Sequence, residues 1–132
     1  MTTIAAITPT RVVIGVDTHK DAHVAVALDG LERRIGDTTI PTSAPGYRKL
    51  VAWADSPGEV ECFGVEGTGS YGPALTRHLR TGDHQVVEVI RPNRQARRVN
   101  GKSNPADAEA AARAVLSGEA TGTPRPATTW WR

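Results

Sequence analysis

A single cysteine, Cys62, in 132 residues excludes an internal disulfide framework and a cysteine-based zinc site, and it suits a reducing cytoplasm. No apolar run approaches the roughly 20 residues that a membrane-spanning helix needs, so no membrane partner is expected. Met1 to Thr10 has no basic segment followed by an apolar one, so no secretion signal is expected. No internal repeat is present. Acids are also missing from one stretch: Arg91, Arg94, Arg97, Arg98 and Lys102 cluster without one, although the formal net charge of the chain is only +2. Such a cluster is either a solvated helix face or a phosphate-facing patch. Grouped Arg and Lys release counterions when they neutralise a polyanion.

What is present describes one soluble domain. Hydrophobic residues make up 39% and charged residues 23%, the balance of a globular chain. Arg11 to Val16 (RVVIGV) is apolar at every other position and between, which predicts a central strand covered on both faces. His23 to Leu28 predicts a second strand, and Asp29-Gly30 a tight turn. Leu31 to Pro41 predicts a third, rich in residues that favour extended backbone. The period then changes. Tyr47, Leu50, Val51 and Ala54 predict a helix over 43–54, with Ser43 or Thr42 as its N-cap. Val60 to Glu66 predicts a fourth strand. Tyr71 to Arg80 predicts a helix ended by Gly82, and Gln85 to Ile90 a fifth strand. Asn93 to Val99 predicts a short basic helix, and Pro105 to Ser117 an alanine-rich one stopped by Gly118. Residues 1–10 are expected to be a flexible N-terminus, and 119–132 an irregular Gly-, Pro- and Thr-rich tail. Three antiparallel strands followed by alternating helix and strand predict an α/β domain over 11–118. It is a ribonuclease-H-like, mixed five-stranded sheet with helices on both faces.

Two predicted strands end in acids, Asp17 and Glu66. Side by side and parallel, their ends would lie about 4.8 Å apart. Carboxylates that close repel unless a proton or a cation intervenes, and hard divalent ions take such oxygen ligands. Each acid alone also reads as a solvated loop residue. Gly67, Gly69 and Gly72 then spell G-x-G-x-x-G, a weak signal by itself for a dinucleotide loop. The acid such a loop requires would be Glu88, which lies inside a strand and not at its end. A tight strand-to-helix turn presenting Glu66 is the competing reading. No Lys-Ser/Thr pair follows, so the loop is not a P-loop. Further on, Pro105 at the first helical position makes Asn104 the N-cap and Asp107 the N3 residue, a complete structural role for both. The two also lie on neighbouring sides of one helical turn, where they could approach a metal held by Asp17 and Glu66.

With these residues assembled, the chain resembles the N-terminal half of insertion-sequence-110 family transposases, relatives of the Piv-type DNA invertases. The matching stretches are VVIGVDTHKDAHVAVALDG (12–30), GVEGTGSYGPALTRHL (64–79), VIRPNRQARRVNGKSNPADAEAAARA (89–114) and ATGTPRPA (120–127). The resemblance implies a RuvC-like domain with a DEDD carboxylate set, Mg²⁺ or Mn²⁺, and transposition or recombination of element DNA. It places the catalytic set on Asp17, Glu66, Asn104 and Asp107, with Asp17, Glu66 and Asp107 as metal ligands. Asn104 stands where the family has an acid, and the lost charge should weaken divalent binding. Implied partners are element and target DNA, a structured guide (bridge) RNA, and further copies of the full-length protein. The implied location is the bacterial cytoplasm, at the nucleoid. Family members continue into a domain bearing a catalytic serine. Thr128 to Arg132 does not resemble that continuation and reads as a truncated or out-of-frame end, so the chain alone is expected to be inactive. Arg91, Arg94, Arg97, Arg98 and Lys102 are the expected nucleic-acid contacts. Two other readings stand beside this one. The first is a non-catalytic nucleic-acid-binding module, or interfering partner of the full-length transposase. The second is a nucleotide-binding enzyme using Gly67, Gly69 and Gly72.

Overall fold

The computed structural model describes residues 11–67, 71–90 and 105–118. In chain order the strands are β1 (Arg11–Asp17), β2 (Ala22–Asp29), β3 (Arg34–Pro41), β4 (Glu59–Glu66) and β5 (Val86–Val89). The helices are α1 (Ala44–Asp55), α2 (Pro73–Thr81) and α3 (Pro105–Ser117). They build one five-stranded sheet in the order β3-β2-β1-β4-β5. β1 pairs antiparallel with β2 and parallel with β4. β2 pairs antiparallel with β3, and β4 parallel with β5. This is the expected ribonuclease-H-like layout.

The apolar β1 run is explained by its central place. Val12, Ile14 and Val16 face one layer, where Tyr47, Leu50 and Ala54 of α1 and Leu75 and Leu79 of α2 complete a core with Phe63 and Val65. Val13 faces the other layer, where Ala108, Ala111, Ala112 and Val115 of α3 meet Val24, Val26, Leu28, Cys62, Val87 and Val89. Helices therefore cover both faces. α1 begins where expected: the Ser43 side chain accepts a hydrogen bond from the Gly46 N–H at 3.3 Å.

Two boundaries differ from the sequence reading by more than one residue. The third strand starts at Arg34, not Leu31. Asp29 Oδ1 accepts the Leu31 and Arg33 N–H groups at 2.8 and 2.9 Å, and Glu32 takes a positive φ of 65°. The chain is thus curled through Arg33, and the turn is longer than Asp29-Gly30 suggested. Likewise α2 starts at Pro73, not Tyr71. Pro73 is preorganised for the first helical turn, while the Gly72 N–H turns back to the Gly67 carbonyl at 3.2 Å.

α3 also carries ion pairs. Arg113 bridges Glu109 at 2.7 Å and Glu32 at 2.9 Å, and Arg34 reaches Glu109 at 3.5 Å. Such exposed pairs contribute about 0–1 kcal/mol each. Burying one valine-sized side chain contributes about 1.5–3 kcal/mol. The apolar contacts of α3 with the sheet therefore dominate its attachment.

Candidate carboxylate site

Asp17 and Glu66 are register partners at the ends of β1 and β4. Neighbouring strands lie about 4.8 Å apart, and register partners on parallel strands point to the same face. Both acids follow a glycine by two positions, and Gly15 and Gly64 are themselves partners. That glycine pair forms a trough in the sheet. A Cβ on Gly15 would stand 2.0 Å from the Ala108 carbonyl oxygen, and one on Gly64 would stand 2.6 Å from Val115 Cγ2. α3 thus lies on bare strand backbone. Its first turn, which carries Asp107, is brought to the sheet end where the strand acids sit. The three carboxylates are buried, with exposures of 0% for Asp17, 2% for Glu66 and 8% for Asp107.

The two strand ends are stitched together by a residue the sequence reading did not single out. The Thr18 N–H donates to the Glu66 carbonyl at 3.3 Å. Its hydroxyl lies 2.8 Å from that oxygen and 3.1 Å from the Gly67 carbonyl. Gly67 has φ +88°, and a Cβ there would stand 2.4 Å from Thr18 Oγ1. The first glycine of the loop is therefore needed for a left-handed turn and for close contact with Thr18. These are demands of the carboxylate-presenting turn. Glu88 pairs with Val65 inside β5 and shares the face of Val86, opposite Glu66. The dinucleotide reading thus lacks its acid at a strand end.

A second clasp holds the segment after Asp17 and Thr18. The His23 ring is fully buried, and its Nδ1 accepts the His19 N–H at 3.1 Å. The Thr42 hydroxyl donates to the His19 carbonyl at 3.0 Å. The ring stacks on Tyr47, with centroids 6.0 Å apart. Accepting at Nδ1 places the neutral ring's proton on Nε2. Burial pushes the His23 pKa down from 6.5 to about 4. Between those values the unfolded chain binds more protons than the folded one. The stability tied to the neutral ring is complete above pH 6.5 and is lost as pH falls towards 4. Urea unfolding should show a decline of about 2 kcal/mol between pH 7 and pH 4.5 that disappears in His23→Phe. An identical decline in both proteins would contradict this assignment.

Asn104, Arg91, Arg94, Arg97, Arg98, Lys102 and Gly69 lie outside the described residues, as do the expected basic helix, the N-terminus and the tail. Among the described residues, no three His, Cys, Asp or Glu side chains converge to hold a metal ion. The donor set is nonetheless all oxygen, which suits a hard cation such as Mg²⁺ or Mn²⁺. The fit is thus one of donor type and location, without a closed set of three ligands. A cavity of about 540 Å³ between α2 and β5 is lined by Thr76, Arg77, Arg80, Val86 and Glu88, and includes none of the three carboxylates. Among the described residues, no helix is long and apolar enough to cross a membrane.

A family model described as Transposase, that of the DEDD transposases of insertion-sequence-110 elements, matches residues 14–130. The match takes in the strand acids, their glycines and all of α3. A search of curated proteins finds no match.

Proposed function

We propose, since this chain belongs to the DEDD transposase family of insertion-sequence-110 elements, that it supplies the metal-dependent, DNA-handling part of a transposition reaction. The observation that carries this reading is the buried register pair of Asp17 and Glu66 beneath the first turn of α3. Residues 11–118 are the RuvC-like domain. Asp17, Glu66 and Asp107 would hold Mg²⁺ or Mn²⁺, with Asn104 as a neutral fourth member. A bound divalent ion supplies Lewis-acid polarisation of a phosphoryl oxygen and a more acidic water. Thr18 keeps the two strand ends together, so Asp17 and Glu66 stay at one spacing. The glycine trough sets how deeply Asp107 approaches them.

Arg91, Arg94, Arg97, Arg98 and Lys102 would contact phosphates of element or target DNA, or of a guide RNA. Binding and metal use would then be separable. The double variant Arg97→Glu/Arg98→Glu should bind DNA at least tenfold more weakly. It should also lower the slope of log affinity against log salt by about 2. Asp17→Asn should bind as the parent does. Equal losses in both variants, measured by fluorescence anisotropy across a salt series, would contradict the division of roles.

One observation favours a second reading. Asparagine at position 104 removes a charge from the expected ligand set, and on this reading the chain acts as a nucleic-acid-binding module that interferes with full-length transposase. That role requires the basic cluster and not the carboxylates.

A further inference from the structure

At the carboxylate end of the sheet, two aromatic rings stand beside the stitched strand ends. Tyr71 is 41% exposed, a large ring left open to solvent. Its centroid lies 6.1 Å from that of His19, with the planes inclined at 35°. The His19 ring is carried by a braced backbone. His19 follows Thr18, whose hydroxyl holds the Glu66 and Gly67 carbonyls. Its own N–H and C=O are taken by His23 Nδ1 and the Thr42 hydroxyl. Tyr71 immediately precedes Gly72, the N-cap of α2, whose N–H returns to the Gly67 carbonyl. The rings thus lie at the end of the sheet where β1 and β4 finish, two residues after Asp17 in the case of His19.

Core packing does not account for this pair, because Tyr71 belongs to neither apolar cluster. An aromatic face held in place before binding loses little freedom when a ligand stacks on it. Every nucleobase offers a π-face, and stacking tolerates any sequence. We propose that Tyr71, backed by His19, is the stacking platform for one unpaired nucleobase of the strand whose phosphate is brought to the carboxylates. The proposal rests on the nucleic-acid reading above. It adds a ligand class and a position: a single-stranded nucleotide immediately beside the site.

The test uses the full chain in EDTA, so that metal plays no part, and a 12-nucleotide single strand carrying 2-aminopurine. The parent and Tyr71→Phe should bind alike and quench the probe. Tyr71→Leu should bind about tenfold more weakly and leave the probe bright, with an unchanged circular dichroism spectrum. His19→Ala should reduce the quenching. If all four bind equally and none quenches, the platform is overturned while nucleic-acid binding stands. If the parent does not bind the strand, both the platform and the nucleic-acid reading fall.

Discussion

Gly15→Ala is expected to lift α3 off the sheet and to cost the fold about 3 kcal/mol, at the upper end of ordinary overpacking. The added Cβ would meet the Ala108 carbonyl oxygen at 2.0 Å, the Ala112 nitrogen at 2.5 Å and the Ala112 Cβ at 2.9 Å. Two of these are backbone atoms inside a helix, so no side-chain rotation relieves them. The helix has to move, and its apolar row of Ala108, Ala111, Ala112 and Val115 moves with it. Domains of this size have only about 5–15 kcal/mol in total, so the loss is a large share. Gly30→Ala is the control, because nothing lies within 4 Å of its added Cβ. Urea unfolding of both variants checks the expectation; equal midpoints would show that α3 does not rest on the strand glycine. The same displacement moves Asp107 away from Asp17 and Glu66, so stability and the site should fail together.

The second large effect is at Gly67. Gly67→Ala forces an L-residue into φ +88° and sets its Cβ 2.4 Å from Thr18 Oγ1. A left-handed backbone alone costs about 1–2 kcal/mol, and the contact with Thr18 adds to it. Thr18→Ala removes the clashing oxygen together with the stitch to Glu66 and Gly67. The double variant Gly67→Ala/Thr18→Ala should therefore be more stable than the sum of the single losses implies, by about 1 kcal/mol. Simple additivity in thermal unfolding would mean that the two residues do not press on one another.

The glycine-valine-acid sequence occurs twice, as Gly15-Val16-Asp17 and Gly64-Val65-Glu66. Its meaning shows how far a sequence reading reaches. The acids are legible locally, because each interrupts an apolar run at a strand end. The helix Pro105–Ser117 is legible for the same reason, bracketed by a proline that starts it and Gly118, at φ +83°, that stops it. The strand glycines were not read as contacts, although glycine inside a strand signals close backbone approach. Which backbone approaches depends on α3, whose Ala108 and Ala112 lie far along the chain from Gly15. Thr18 was missed on similar grounds. Nothing in its neighbours marks it, since its partners are the carbonyls of Glu66, the last residue of β4, and of Gly67 after it. Asp29-Gly30 predicts a tight turn, whereas the Asp29 side chain organises a longer loop. Local pattern carries element type and strand ends. Long-range register decides which small residues meet.

The most direct test of the carboxylate site is a calorimetric titration of Mn²⁺ into the full chain beside Asp17→Asn and Asn104→Asp. The parent is expected to bind weakly, Asn104→Asp more tightly and Asp17→Asn not at all. No binding by any of the three would contradict a divalent site at the ends of β1 and β4.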